Sequence, residues 1–247
     1  MLLTGHQPNY LPYPGFFHKI LQADLFLVVD TVQFVKRGPF GWIHRNRIRT
    51  EGPEGWSWLT VPVITHDRYL QSIRETRIDN RLPWRRKHWR TIENLYRGAS
   101  GFPLFAPALE EIYAREWDSL SDLNETLIRE IMALLQIRTP IRKLSDLKAD
   151  GKSTELIVNF CRDLGADEYL SGTHGRDYLD QGSFERAGIR LTFQEFACPR
   201  YPQRLAGAFV PNLSIIDLLM CCGERSREVL ESGQPRIQPD PSLLAGR

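Results

Sequence analysis

Four short segments carry residues whose types and spacing suit catalysis or anion binding. The first is Gly5-His6-Gln7-Pro8-Asn9-Tyr10, continued by His18-Lys19. His6 and His18 are candidate catalytic groups, because imidazole changes protonation near neutral pH. Gln7, Asn9 and Tyr10 offer neutral hydrogen-bonding groups, and Lys19 beside His18 completes a cationic pair. The plainer alternative for His6 is a rigid proline turn in which the ring bonds to backbone. The second segment is Asp30-Thr31-Val32-Gln33, followed by Arg45-Asn46-Arg47. Asp30 is a candidate catalytic carboxylate at the end of an apolar run, with Gln33 beside it as a substrate contact. Arg45, Asn46 and Arg47 suit a phosphate or carboxylate gripped through paired N–H donors. A solvated basic loop is the competing reading, and it is preferred for Lys36, Arg37 and Arg49. Trp42 and His44 either stack on a planar ligand or anchor that loop.

The third segment is Ser171-Gly172-Thr173-His174-Gly175-Arg176-Asp177-Tyr178. Hydroxyl and backbone donors in succession suit an oxyanion or phosphate. Ser171, Gly172, Thr173, His174 and Tyr178 are the expected contacts, and Arg176 is expected to pair with Asp177. The fourth is Leu213-Ser-Ile-Ile-Asp217, where Asp217 could orient a histidine or arginine across the site. Ser214 reads as a helix cap.

These segments need elements to hold them. Met1 to Leu3 starts a strand, Phe16 begins a helix, and Leu25 to Asp30 is a continuous apolar run. Strand, loop, helix and doubly buried strand form a βαβ unit, which places the His6 loop and Asp30 at one sheet edge. Trp56 to Val63 has strand composition. Helical spacing recurs over Leu82 to Tyr96, Pro103 to Arg115 and Asp122 to Gln136. A helix capped by Ser153 or Thr154 and closed by Gly165 follows, with Leu156, Ile157, Phe160 and Cys161 on its apolar side. Strands are expected at Tyr169–Gly172 and Ile189–Phe193, and a helix at Asn212–Cys222. The expected fold is α/β, a mainly parallel sheet with flanking helices and a helical middle section. A single domain over 1–231, with a helical insert at about 82–137, would end in a flexible tail over 232–247.

Composition narrows the partners. A net charge of +2 argues for neither nucleic acid nor membrane. The basic stretch Trp84 to Arg90 is read as the solvated face of a helix. No apolar run approaches the ~20 residues of a membrane span, and the start does not read as an export signal. The four cysteines lack metal-ligand spacing, and Cys221-Cys222 reads as buried thiols; a reduced, cytoplasmic protein is expected. The common phosphate-loop, dinucleotide, zinc-protease and hydrolase motifs are absent.

The segments together resemble the WbqC-like protein family of bacteria. The matching pieces are His6-Gln-Pro-Asn-Tyr-Leu-Pro-Tyr-Pro-Gly-Phe-Phe-His-Lys-Ile20, Asp30-x-x-Gln33 and Arg45-Asn-Arg-Ile48. Further matches are Trp58-Leu-Thr-Val-Pro62, Tyr169-Leu-Ser-Gly172, Tyr178-Leu-Asp180, Tyr201-Pro-Gln203 and Leu213-Ser-Ile-Ile-Asp217. The resemblance implies a setting in O-antigen, other surface-polysaccharide or secondary-metabolite biosynthesis. It implies a transferase or ligase that moves an amino-acid or acyl group onto a nucleotide-linked sugar or similar anionic small molecule. It assigns no catalytic residues. One alternative is a nucleotidyltransferase-like enzyme using ATP with Mg²⁺, held by Asp30. Another is a non-catalytic binding protein of a biosynthetic complex, in which the polar loop residues would be dispersed.

Overall fold

The computed structural model describes residues 1–38, 41–233 and 238–239. Its centre is β1 (Leu2–His6), followed by α1 (Pro14–Leu21) and β2 (Leu25–Val28). Leu3, Phe26, Leu27 and Val28 are buried completely, as strands covered on both faces require. Pro14 sits in the first turn of α1, where its missing N–H costs no hydrogen bond. Phe16, Phe17 and Ile20 seat that helix in the core.

The main sheet adds β5 (Ile141–Lys143), β6 (Glu168–Ser171) and β7 (Arg190–Phe193) in parallel, in the spatial order β5-β2-β1-β6-β7. The backbone of β8 (Gln238–Pro239) pairs antiparallel with β7. The fold is α/β, with a mainly parallel sheet, flanking helices and a helical middle. In register, Leu3 lies beside Leu25 on one side and Tyr169 on the other. The chain leaves β1 toward β2 but leaves β6 in the opposite direction, toward β7. The carboxyl ends of β1 and β6 therefore flank a topological switch point, where open α/β sheets form a crevice.

The helical middle consists of α2 (Trp84–Tyr96), α3 (Phe102–Ala114) and α4 (Leu120–Leu134). It shares one core cluster with α1 and with α7 (Ile215–Cys222). α5 (Ser153–Leu164) and α6 (Gln181–Arg186) contribute to a second cluster, together with Leu3, Leu27 and Phe193. α8 (Ser226–Glu231) packs on α1 and α7. Neither α6, α8 nor β5 was expected from the sequence; all are short.

Several local expectations change. Arg45–Arg49, where no strand was expected, is β3, paired antiparallel with β4 (Trp56–Thr60) in a separate two-stranded sheet. Asn46 and Ile48 are buried while Arg45 and Arg47 are half-buried on the other side. Arg49, expected in a solvated loop, is itself buried and donates to the Gly55 and Ala206 carbonyls. α5 starts at Ser153, so neither Ser153 nor Thr154 caps it; the flanking residue is Lys152, without a side-chain cap. Thr154 Oγ1 instead accepts from the Asp180 amide at 3.1 Å. Gly165 closes α5 at φ +68°, a left-handed turn that favours glycine. Ser214 caps α7 as expected, accepting from the Ile216 amide at 3.3 Å. Cys221 and Cys222 are half-buried, not buried. Of the tail beginning at Ser232, residues 234–237 and 240–247 lie outside the described ones.

Candidate functional site

A cleft of 650 Å³ opens over the carboxyl ends of β1 and β6. β1 and the loop after it supply His6, Gln7 and Asn9, while α1 supplies Lys19. Asn46 and Arg47 enter from β3. The strand end Ser171 and the 3₁₀ turn Thr173–Asp177 bring Ser171, Gly172, Thr173 and His174, with Tyr178 just beyond. Sequence positions more than 160 residues apart thus meet at the switch point. Among the described lining residues there is no carboxylate, whereas Lys19, Arg47, His6 and His174 all face the space. A larger but more open depression over Asp67–Arg77 holds none of the chemically suited segments.

His6 is half-buried, with its ring edge-to-face on Phe16 at 4.9 Å. Its Nδ1 lies 2.9 Å from the Gln7 carbonyl oxygen, so a neutral ring donates there and keeps Nε2 as an acceptor. Burial, reinforced by the Lys19 charge, lowers its pKa to about 3. Bonding to backbone and facing the cleft are therefore both true of this side chain.

Lys19 is only 3% exposed. Its Nζ donates to the Gly5 carbonyl oxygen at 3.1 Å, and no carboxylate pairs with it among the described residues. Burial lowers its pKa to about 7. An ammonium has three donors, so this one retains capacity for an anion.

The β3 side is built around Asn46. Its Nδ2 donates to the Leu11 carbonyl oxygen at 2.8 Å, and its Oδ1 accepts the Arg47 amide at 2.8 Å. It thereby clamps a loop in which Leu11 adopts φ +43°, a strained conformation for a branched residue. Arg47 packs its guanidinium over Trp42 and Trp56, at 5.4 and 5.1 Å from the ring centres. One of its terminal nitrogens donates to the Asn212 carbonyl at 3.1 Å, and its buried Nε has no partner among the described residues. Burial lowers its pKa. The buried Oδ1 of Asn9 also lacks a partner among the described residues. Unmet polar atoms beside a cavity are groups a ligand can satisfy.

Six expected site residues lie away from this lining. His18 is buried, with Nδ1 2.7 Å from Gln22 Nε2 and 2.9 Å from Gln194 Nε2; burial lowers its pKa and the ring packs on Phe196. The Tyr10 hydroxyl joins His88 and Tyr113 in the helical core. Asp30, expected at the edge with His6, turns toward β5 and accepts the Ser145 amide at 3.0 Å. Gln33 donates to the Tyr69 carbonyl on the surface. Arg45 donates to the Gly41 carbonyl and stacks over Trp58 at 4.2 Å. Asp217, fully buried, accepts from Tyr96, Tyr201 and Gln203 at 2.7, 2.9 and 2.9 Å. It orients neither a histidine nor an arginine. Arg176 pairs with Glu195 instead of Asp177, which lies near His174. Asp30 does not fit an Mg²⁺ ligand of this cleft, since its carboxylate is directed to the Ser145 turn and no lining carboxylate joins it.

Sequence reasoning passed over one wall. Ser153, Leu156, Ile157 and Phe160 of α5 line the cleft, as do Val29 and Tyr169. An apolar helix stripe reads the same whether it faces a core or a cavity, so no signal separated them.

The WbqC-like protein family model matches residues 7–229. The chain is also similar to an uncharacterized protein of Mycobacterium tuberculosis, Rv1507c, at 39% identity over 226 residues, covering 91% of this chain and 95% of that one. No solved structure matches.

Proposed function

The chain belongs to the WbqC-like protein family, and from that premise we propose a transferase that moves an acyl or aminoacyl group onto a nucleotide-linked sugar or comparable anionic acceptor. The observation that carries the reading is the cleft at the switch point, whose described lining includes Lys19, Arg47 and the Ser171–Gly175 turn but no carboxylate. Two cationic side chains without a carboxylate partner among the described residues suit a phosphate-bearing substrate. The convergence of His6, Arg47 and Thr173 favours a catalytic site over a scaffold with dispersed polar residues.

In the proposed reaction, the acceptor's amine or hydroxyl lone pair forms the new bond to the acyl carbon. Its proton passes to His6 Nε2, and the donor's leaving group departs with the bonding electron pair. With its pKa of about 3 the free His6 is a weak base; an anion bound beside Lys19 offsets the Lys19 charge and raises its basicity for this step. The Thr173 hydroxyl already donates to the Gln194 carbonyl oxygen at 3.1 Å, so the backbone amides at the start of the Thr173–Asp177 turn serve the oxygen that gains charge. Arg47 holds the phosphate, stiffened by the two indoles. The family resemblance supports a setting in surface-polysaccharide or secondary-metabolite biosynthesis. Among the described residues no helix is long and apolar enough to cross a membrane, and Cys161, Cys198, Cys221 and Cys222 are free. We place the enzyme in the cytoplasm on the free thiols.

The test pairs nucleotide-linked amino sugars with acyl thioesters and follows product mass in wild type and His6→Ala. Product from the wild type, lost in the variant while the fold persists, supports the reading. Unchanged turnover and affinity in His6→Ala remove it.

A further inference from the structure

The α5 wall has a chemistry of its own. Ser153, Leu156, Ile157 and Phe160 recur at i, i+3, i+4 and i+7, so one helix face is turned to the cleft. Leu156 and Ile157 are only half-buried, although they pack against the second core cluster. Val29, also half-buried, lines the same cleft from the sheet side.

Gly5 joins this wall to the cationic one. A Cβ there would lie 3.3 Å from Val29 Cγ2, 3.4 Å from the Tyr169 hydroxyl and 3.5 Å from Phe160 Cζ. Glycine lets these three side chains close over the strand, while its carbonyl oxygen holds the Lys19 ammonium at 3.1 Å. A charged end and an apolar channel therefore meet at one residue. The Tyr169 hydroxyl is engaged by the Gly5 backbone, so the wall offers little to read the polar edge of a nucleobase.

We propose that the α5 face of the cleft is an acyl subsite, taking an unbranched aliphatic chain whose carboxyl or carbonyl end lies at Lys19. This rests on the transferase reading and narrows its donor from acyl or aminoacyl groups to apolar acyl groups. The charged end is held by the Lys19 ammonium, and the chain covers Leu156, Ile157 and Val29. Free acids and thioesters share this chemistry.

Calorimetric titration of the whole chain with acetate, butyrate, hexanoate and octanoate tests it without any assay of turnover. Affinity is expected to rise about 4-fold per added methylene, the ordinary gain from burying one. N-acetylcysteamine thioesters of the same acids should show the same slope, which separates the chain's contribution from the carboxylate's. Lys19→Met should weaken all the acids alike and leave the slope intact. Ile157→Asp should flatten the slope, and the wild-type series stands by itself if that variant fails to fold. Affinities independent of chain length would overturn the proposal. So would AMP or UMP binding that Ile157→Asp abolishes, since the wall would then hold a base. A steep slope in a protein without transferase activity would leave the subsite standing and remove only the reaction.

Discussion

The Lys19 ammonium donates to the carbonyl oxygen of Gly5 at 3.1 Å, and no carboxylate among the described residues neutralises it. A helix side chain is thereby fastened to the last turns of the central strand, at the point where the cleft begins. Burial of this charge has consequences that can be measured.

Anion affinity should depend on pH. With a pKa of about 7, Lys19 is charged below neutrality and loses its proton above it. Affinity for phosphate or a small carboxylate should therefore fall as pH rises from 6 to 8. Calorimetry across that range checks it, and Lys19→Met should bind weakly with much less pH dependence.

Stability has its own sign. Unfolded, Lys19 keeps its proton up to the ordinary 10.5; folded, it sheds it near 7. Between those values the unfolded chain binds the extra proton, so this residue makes stability rise with pH. Its full penalty is present below pH 7. Lys19→Met should raise the melting temperature over wild type more at pH 6 than at pH 9.

Acid should unfold the protein early. Burial first, with help from nearby cations, lowers His6 to about 3 and His44 to about 4, and burial lowers His88 to about 4. The unfolded chain binds these protons below 6.5 and the folded chain refuses them, so stability is lost as pH falls through 6.5 toward 4. Each such histidine contributes about 1.4 kcal/mol per pH unit in that window. Urea unfolding at pH 7 and pH 5 reads the loss. His88→Gln should reduce the pH slope by roughly one histidine's share.

Asp217 should matter for stability rather than for binding. Three donors converge on a carboxylate that is fully buried, and burial as such raises its pKa. Asp217→Leu would strand Tyr96, Tyr201 and Gln203, at a cost of about 3–5 kcal/mol. Anion affinity of the folded fraction should stay near wild type, and a selective loss of affinity would contradict the assignment.

Arg47→Lys should fail to substitute. A lysine retains charge but not the planar stack over Trp42 and Trp56. Phosphate affinity should drop on the order of tenfold in both Arg47→Lys and Arg47→Ala. Full rescue by lysine would show that charge alone suffices.

Much of the frame was legible in the residues. The apolar run Leu25 to Val28 and the proline-rich loop before α1 announced a βαβ opening, and Tyr169 to Ser171 announced the neighbouring strand. Those same readings brought His6 and Thr173 to one edge. β3 was concealed because Arg45, Arg47 and Arg49 dominate its composition, and a buried arginine such as Arg49 reads in sequence like a solvated one. Asp30 and Asp217 misled because a carboxylate ending or interrupting an apolar run suggests a site. Each is instead satisfied away from the cleft, by the Ser145 amide or by Tyr96, Tyr201 and Gln203, partners from other segments that the local pattern does not show. Leu156 and Ile157 looked like core because their periodicity is that of core.

The central claim is that the β1–β6 cleft performs group transfer with His6 as its proton acceptor. Its most direct test is the turnover of wild type and His6→Ala on nucleotide-linked amino sugars with an acyl thioester, read as product mass. Wild type should form product, and His6→Ala should lose about 10²–10⁴-fold in rate with its melting behaviour preserved. Equal turnover and equal substrate affinity in the two proteins would contradict the account.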